Sequence, residues 1–294
     1  MFAQVKPYIK LMRPHHYSKN FFIFLPLFFS GSLLQWPLVG QTFTGFLAYC
    51  LISSVVYIYN DIQDAEKDRQ HSEKCRRPIA SGAVPVNKAV ILAAVLLLFG
   101  LVCQALAGPA NFFSWLFLLS YLLMNLAYSW RLKHVALLDI SILAAGFLLR
   151  LVYGAALTGI AVSGWLYLTV LTMSFYMGLG KRRGELIRQK ETRQVLKKYS
   201  QGFLEKSMNM CLTLTVAFYS LWAGGGHSLA WGEGERGGGM LWTVPLAILI
   251  CLKYSLNIET DSDGDPVEVV LRDKVLCGLL LLFALLVFVL LYFV

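Results

Sequence analysis

At residues 55–71 the sequence reads Val55-Val56-Tyr57-Ile58-Tyr59-Asn60-Asp61-Ile62-Gln63-Asp64-Ala65-Glu66-Lys67-Asp68-Arg69-Gln70-His71. Three aspartates, Asp61, Asp64 and Asp68, follow an apolar run at spacings of three and four residues. Carboxylates are hard oxygen donors, and proteins commonly hold Mg²⁺ with one or two of them together with substrate phosphates. The stretch therefore predicts a site at the edge of a membrane span, where phosphate chemistry meets lipid.

The composition is that of a polytopic membrane protein. Of the 294 residues, 57% are hydrophobic and 15% are charged, and the mean hydropathy is +0.61. Soluble domains carry about 25% charged residues. Helices satisfy their own backbone hydrogen bonds in lipid, so we expect an all-α bundle in a single domain over residues 1–294. Apolar stretches near the length of about 20 residues that a bilayer requires predict nine spans, at residues 21–38, 42–60, 88–107, 112–130, 136–158, 163–180, 208–226, 240–257 and 275–294.

The placement of the basic residues predicts the orientation. If the N-terminus is cytoplasmic and the C-terminus outside, the inner segments hold every lysine and arginine of the 26 except Arg150 and Arg236. The positive-inside rule favours this arrangement. The formal charge of +9 then belongs to a cytoplasmic face that meets anionic lipid head groups and phosphates. The charge is therefore no sign of nucleic-acid binding, and we expect the active-site cavity to face the cytoplasm.

Helical spacing would gather the acidic residues on one side of the second span. If the helix continues past Tyr59, then Asn60, Asp61, Asp64 and Asp68 fall within an arc of roughly 100°. Like charges at these spacings repel each other, so the arrangement favours a bound cation. We predict Asp61, Asp64 and Asp68 as ligands of Mg²⁺, with Asn60 assisting. The alternative is a solvated helix end with scattered acids.

Basic residues follow the acidic cluster in the stretch Lys74-Cys75-Arg76-Arg77-Pro78-Ile79-Ala80-Ser81-Gly82. Arginine binds phosphate oxygens through two parallel hydrogen bonds, and lysine supplies a point charge. Pro78 and Gly82 indicate a turn. We interpret Lys74 and Arg77 as a clamp for diphosphate; the alternative is a charge cluster that only sets the topology.

Three further polar residues lie near or within predicted spans. Asp139 and Arg150 are in the fifth span, and Lys133 is at the inner end of the fourth. Ionisable residues inside a membrane usually face a cavity or a partner. We predict phosphate binding for Lys133. For Arg150, phosphate binding and a structural pairing with another helix both stay open.

The acidic and basic stretches together resemble a known signature. Asn60-Asp61-x-x-Asp64-x-x-x-Asp68, followed by Arg77-Pro78-Ile79-Ala80-Ser81-Gly82, is similar to the first motif of the UbiA superfamily of intramembrane prenyltransferases. The resemblance implies nine transmembrane helices around a cavity that opens to the cytoplasm and the lipid. It also implies that the asparagine and the aspartates bind Mg²⁺-diphosphate.

Finer features resemble one branch of that superfamily, the polyprenyl-phosphate phosphoribosyltransferases. These features are Arg13-Pro14-x-x-Tyr17-x-Lys19-Asn20, Asp68-Arg69-x-His71-x-x-Lys74-x-x-Arg77-Pro78 and Gly180-Lys181-Arg182-Arg183-x-Glu185. The resemblance implies substrate-binding roles for Lys19 and Arg69. It implies catalytic roles for Asp61 and Asp64 at the metal and for Lys181 and Arg182 at the donor phosphates.

One departure from the superfamily pattern supports this branch. Members that transfer prenyl groups have a second aspartate-rich motif after the sixth span, where this chain has Lys181, Arg182 and Arg183. Extra cations suit a donor with a third phosphate group. The number of metal ions stays open, and Asp139 or Glu185 could supply a remaining ligand.

The resemblance implies a Mg²⁺-dependent transferase of a bacterial plasma membrane, with a role in the cell wall. It would move 5-phosphoribose from phosphoribosyl diphosphate to a polyprenyl phosphate and release diphosphate. The alternative is transfer of a prenyl group from a prenyl diphosphate to an aromatic or other acceptor. A transporter is disfavoured, because the acids lie at the membrane edge and no internal repeat is evident. Homo-oligomerisation stays open.

Overall fold

The computed structural model describes residues 2–71, 74–108, 111–187, 194–225, 239–260 and 266–294. Throughout these ranges the regular structure is helical and no strand occurs, as the all-α prediction requires. Short 3₁₀ segments connect some of the α-helices. The α-helices in chain order are α1 (Phe2–Met12), α2 (Leu25–Phe29), α3 (Trp36–Gln63), α4 (Ala65–Arg69), α5 (Val86–Ala107), α6 (Phe112–Trp130), α7 (Leu138–Thr158), α8 (Gly164–Ile187), α9 (Gln201–Gly224), α10 (Val244–Thr260), α11 (Pro266–Arg272) and α12 (Lys274–Tyr292).

Six helical segments within the described ranges are long and apolar enough to cross a membrane. They are Trp36–Gln63, Val86–Ala107, Phe112–Trp130, Leu138–Thr158, Met240–Glu259 and Lys274–Tyr292. The sixth and seventh predicted spans coincide with α8 and α9, which are long enough but less apolar. The chain is therefore a multi-pass membrane protein, and nine spans stay a prediction.

The first predicted span, residues 21–38, is not one continuous α-helix. A 3₁₀ helix occupies Pro14–Phe24, and α2 follows at Leu25–Phe29. Pro26 has no N–H to donate to the carbonyl of Phe22, which disfavours an unbroken α-helix through this position. The hydropathy of residues 21–38 predicts an apolar segment, but hydropathy carries no information about where a helix is interrupted.

The first of two compact units contains residues 1–25, 35–133 and 149–160. Its long helix α3 packs against α5, α6 and the 3₁₀ helix Pro14–Phe24. A buried core of aromatic and aliphatic side chains holds these elements together; it includes Ile23, Tyr49, Ile52, Tyr121, Tyr153 and Leu157. A second core, which includes Ile58, Ala65 and Ile79, lies around the C-terminal end of α3, where the aspartates begin.

The second unit contains residues 26–34, 134–148 and 161–294. Within it α8 packs along α9, and α10 packs against α9 and α12. A core at one end includes Ala223, Met240, Val287 and Leu290. This division into two units does not test the prediction that residues 1–294 form a single domain, which stays a prediction.

Large apolar side chains are exposed along the outer faces of several helices. On α5, Leu98 is 63% exposed and Leu106 is 74% exposed; on α12, Leu281 is 72% exposed. A soluble monomer rarely presents such continuous apolar surface. These faces are suited to contact with lipid chains.

One close helix contact in the first unit requires glycine. A Cβ added at Gly154 in α7 would collide with the carbonyl oxygen of Ile23 in the 3₁₀ helix. We expect Gly154→Ala to force these two elements apart and to destabilise the protein by about 1–3 kcal/mol, the usual range for overpacking.

The measurement is the midpoint of thermal unfolding of the purified protein in detergent. The matched control is Gly40→Ala in α3, where an added Cβ meets no atom within 4 Å. If Gly154→Ala unfolds at the same temperature as Gly40→Ala, the close packing of α7 on the 3₁₀ helix is wrong.

Candidate functional site

The acidic cluster lies where α3 ends rather than along one continuous helix. α3 ends at Gln63, Asp64 has φ −93° and ψ 1°, and α4 begins at Ala65. We predict an unbroken helix from the sequence, and the structure differs at this one residue. The interruption is local, because the N–H of Asp64 still donates to the carbonyl of Asn60 and the N–H of Asp68 donates to the carbonyl of Asp64.

Arg77 brings Asp61 and Asp68 together. Its Nη1 lies 3.2 Å from Oδ1 of Asp61 and 2.7 Å from Oδ2 of Asp68. Asp61 is 2% exposed and Asp68 is 4% exposed. Burying a carboxylate without a counter-ion is costly, so this one guanidinium offsets two buried negative charges.

The turn that carries Arg77 forms as its sequence predicts. The carbonyl of Arg77 accepts a hydrogen bond from the N–H of Ser81, and the carbonyl of Ile79 accepts one from Gly82. Gly82 has φ +77°, a conformation that favours glycine. The turn fixes the backbone from which Arg77 reaches the two aspartates.

Arg13 also belongs to the cluster, although sequence reasoning did not single it out as a site residue. Its Nη2 donates to Oδ1 of Asp61 at 2.5 Å, and its guanidinium carbon lies 5.3 Å from the centre of the Tyr57 ring. Arg13 has φ 56° and ψ 57°, which is uncommon for a residue that is not glycine and unusual before a proline. The signal in the sequence was the pair Arg13-Pro14 within the branch signature.

Lys133 pairs with the remaining aspartate, Asp64. Its Nζ lies 2.6 Å from Oδ1 of Asp64. The predicted phosphate ligand Lys133 and the predicted metal ligand Asp64 are therefore direct neighbours. We call the six residues Arg13, Asp61, Asp64, Asp68, Arg77 and Lys133 the ion-pair cluster; its three carboxylates and three cations are formally balanced.

The other candidates of the first unit surround or follow these residues in the chain. Asn60 is half-buried in the last turn of α3, and Lys19 is half-buried in the 3₁₀ helix. Lys74 is half-buried in the short 3₁₀ turn that precedes Arg77. Arg69 is exposed, and its Nε donates to the carbonyl of Ala80 at 3.4 Å. Their substrate-binding roles stay predictions.

Arg150 lies in a buried aromatic environment. It is 5% exposed. Its Nε donates to Oδ1 of Asn20 at 2.8 Å, and its Nη2 donates to the hydroxyl of Tyr121 at 3.2 Å. The guanidinium carbon also lies 5.1 Å from the centre of the Tyr49 ring and 4.9 Å from that of Tyr121. These contacts connect α7 to α6, α3 and the 3₁₀ helix, and they favour the structural alternative.

The second unit contains a separate buried polar network around Arg182. The residues Arg182 and Asp139 are both 0% exposed. The Nε of Arg182 donates to Oδ2 of Asp139, and its Nη1 donates to Oε2 of Glu185, both at 2.6 Å. Asp139 and Glu185, left open above as metal ligands, are thus paired with Arg182. Lys181 is half-buried beside it.

Tyr199 completes this network from the segment before α9. Its hydroxyl donates to Oδ1 of Asp139 at 2.6 Å and accepts from the N–H of Leu137 at 2.6 Å. Leu137 has φ +68°, a strained backbone for leucine. The hydroxyl therefore helps hold both the strained turn and the carboxylate at the start of α7.

The donor atoms of the ion-pair cluster are of the chemical kind that a hard divalent cation takes. Mg²⁺ takes oxygen ligands, and the cluster offers three carboxylates next to the amide of Asn60. Among the described residues, no three His, Cys, Asp or Glu side chains converge as a ready metal-binding group. Asp61 and Asp68 would have to give up contacts with Arg13 or Arg77 to share a cation.

Comparison with known proteins gives consistent matches along the chain. The family model for the UbiA prenyltransferase family matches residues 21–271. Decaprenyl-phosphate phosphoribosyltransferase of Mycolicibacterium smegmatis is 33% identical over 280 residues, which cover 91% of this chain and 87% of the relative. The enzyme of the same name from Mycobacterium tuberculosis is 32% identical over 278 residues, with 91% and 88% covered.

A solved structure has the same fold. The structure of a UbiA homologue from Archaeoglobus fulgidus bound to GPP and Mg²⁺ superposes with a TM-score of 0.69. The match covers 96% of this chain and 99% of that one, at 18% identity. The bundle of helices is therefore shared, while the identity is too low to carry the ligands across.

The Arg182 network yields a prediction about alkaline pH. Burial first, and then the hydrogen bond to Asp139, raises the pKa of Tyr199 to about 12 from its ordinary value of 10.0. Because the folded state favours the neutral phenol, its contribution to stability is complete below pH 10 and is lost as the pH rises towards 12. We expect Tyr199→Phe to lower the free energy of unfolding by about 1–3 kcal/mol near neutral pH and to remove this component of the alkaline loss.

The measurement is the thermal midpoint of wild type and variant between pH 7 and pH 12. Tyr167→Phe, at an exposed position on α8, is the control. If the thermal midpoints of wild type and Tyr199→Phe fall in parallel between pH 10 and pH 12, the assigned hydrogen bond is contradicted.

Proposed function

Because this chain belongs to the UbiA prenyltransferase family, we propose that it moves 5-phosphoribose from phosphoribosyl diphosphate to a polyprenyl phosphate. The chain is a transferase in a membrane. The finer proposal names the donor, the acceptor and Mg²⁺ as the metal. It also includes a cytoplasmic N-terminus and a location in a bacterial plasma membrane.

The observation that carries the proposal is the extent of similarity to the two mycobacterial phosphoribosyltransferases. About a third of the residues are identical across nine tenths of this chain. The basic run Lys181-Arg182-Arg183 favours the same choice on sequence alone, but Arg182 pairs with Asp139 and Glu185 and Arg183 pairs with Glu205. The structure therefore adds no support from these two arginines.

The reaction requires little acid–base chemistry from the protein. The bond between C1 of the ribose and the diphosphate oxygen breaks, and its electron pair leaves with diphosphate. An oxygen of the polyprenyl phosphate forms the new bond to C1. The acceptor oxygen is already anionic, so no general base has to remove a proton. Catalysis then consists of positioning and electrostatic stabilisation.

The ion-pair cluster is suited to bind the leaving group. Asp61, Asp64 and Asp68, with Asn60, would hold Mg²⁺, which when bound neutralises charge on the departing diphosphate. Arg77 and Lys74 would place the phosphate oxygens, since the turn 77–82 orients the guanidinium. Lys133, next to Asp64, would contact the same phosphates.

The donor can be identified directly. Purified protein in lipid nanodiscs is incubated with Mg²⁺, a polyprenyl phosphate and phosphoribosyl diphosphate labelled in the ribose. We expect label in the lipid fraction and release of one diphosphate per labelled lipid. If label stays in the aqueous phase while a prenyl diphosphate is consumed with an aromatic acceptor, the phosphoribosyl assignment is wrong and the enzyme is a prenyltransferase.

The metal assignment predicts a strong effect at the aspartates. We expect Asp61→Asn and Asp64→Asn each to lower kcat by at least about 100-fold, because each removes a negative charge that would hold the metal and the leaving group in place. Glu66→Gln, at an exposed acid on α4, should retain wild-type activity.

Asp61→Asn also leaves Arg13 without its carboxylate and leaves Arg77 with Asp68, so its folding must be checked by the thermal midpoint. Asp64 is more exposed, so Asp64→Asn tests the same site with less risk to the fold. Removal of Mg²⁺ by a chelator should abolish turnover and re-addition should restore it. Full activity of Asp64→Asn would argue against the site.

A further inference from the structure

We infer that Arg13 is an exchangeable counter-ion. It neutralises Asp61 until metal and diphosphate arrive together, and its guanidinium then pairs with a phosphate oxygen instead. The inference rests on the part of the proposed function that places a metal and a diphosphate at the ion-pair cluster. It goes further by assigning Arg13 a role and by predicting that the metal and the diphosphate bind with strong coupling.

The first step is the crowding of one oxygen. Oδ1 of Asp61 accepts from Nη2 of Arg13 at 2.5 Å and from Nη1 of Arg77 at 3.2 Å. An oxygen that already faces two guanidinium groups cannot bind a divalent cation beside them, because the positive charges would repel at short range. At least one arginine has to leave this oxygen before it can bind a metal.

The second step is the charge balance of the ion-pair cluster. Its three carboxylates and three cations are formally neutral as a set. A bare Mg²⁺ would leave two excess positive charges in a site where Asp61 is almost completely buried, and bare diphosphate would leave a large negative excess. Metal and diphosphate together nearly cancel, so the cluster accepts the two as a unit at much lower electrostatic cost.

The third step is that Arg13 has somewhere to go without leaving the site. Its guanidinium lies over the face of Tyr57 as well as beside Asp61. A cation over an aromatic ring is attracted independently of the carboxylate. When Asp61 turns to a metal, Tyr57 keeps the guanidinium at the site, with its N–H donors available to a phosphate oxygen.

The backbone of Arg13 supports this reading. Its left-handed conformation before Pro14 carries strain that a surface arginine would have no reason to keep. Arg77 differs, because it contacts Asp68 as well and extends from an ordinary turn. Arg13 is therefore the cation that can be exchanged, and Arg77 the one that stays between the two aspartates.

The test compares Arg13→Gln with wild type in two binding measurements that need no turnover. The first is the affinity for Mn²⁺ alone, read from the electron paramagnetic resonance signal of the free ion. The second is the retention of ³²P-labelled pyrophosphate by equilibrium dialysis, with and without Mg²⁺. Arg13→Lys keeps the charge, and Arg76→Gln removes a neighbouring exposed cation as the matched control.

We expect opposite changes in the two measurements. Wild type should bind Mn²⁺ alone weakly and should retain pyrophosphate at least about tenfold better with Mg²⁺ than without it, within the usual range of coupling between sites. Arg13→Gln should bind Mn²⁺ alone several-fold more tightly and retain Mg²⁺-pyrophosphate several-fold less. Arg13→Lys and Arg76→Gln should resemble wild type in the affinity for Mn²⁺ alone.

A damaged fold would weaken both kinds of binding, so the opposite signs separate exchange from a merely structural ion pair. Equal affinity of wild type and Arg13→Gln for Mn²⁺ alone, or pyrophosphate retention that does not depend on Mg²⁺, would overturn the inference. The outcome is independent of the group that is transferred. If the labelled ribose fails to reach the lipid while this binding pattern holds, only the proposed donor is wrong.

Discussion

The bridge from Arg77 to Asp61 and Asp68 is the interaction on which the rest of the candidate site depends. Two buried carboxylates so close in sequence would repel each other and would be costly to bury unless a cation lay between them. The bridge makes it possible for α3 and α4 each to bury one carboxylate, Asp61 in α3 and Asp68 in α4. It also explains why a turn with a positive-φ glycine follows, since that turn delivers the guanidinium to both carboxylates.

Much of the fold could be predicted from the sequence because lipid imposes a simple rule. Apolar runs of bilayer length become helices, and α5, α6, α7 and α12 begin and end within two residues of the predicted spans, while α3 begins six residues before its span. The first span differs because one residue, Pro26, removes a backbone donor that hydropathy does not measure. The helices α8 and α9 are less apolar and show the same limit of hydropathy. The length of a helix is easier to predict than the part of its surface that contacts lipid.

The candidate site could be predicted only in part. The spacing of the aspartates in the sequence identifies them as candidates, but two of the cations that pair with them come from distant segments. Arg13 lies 48 residues before Asp61, and Lys133 lies 69 residues after Asp64. Local periodicity carries no information about such pairs. The interruption at Asp64 was missed for a related reason: whether a helix continues through a row of like charges depends on the cations that other segments supply.

Two buried arginines, Arg150 and Arg182, show why charge in a sequence does not by itself identify a ligand. Arg182 is enclosed between Asp139 and Glu185, and Arg150 is enclosed by tyrosines and Asn20. Each guanidinium already has partners that offset its burial, and to bind a phosphate it would have to exchange them. Arg13 is more exposed, and its carboxylate partner Asp61 also contacts Arg77, so the energetic cost of exchange is lower for Arg13. This difference supports the proposal that the ion-pair cluster receives the charged substrate, while the Arg182 network is better suited to hold its own unit together.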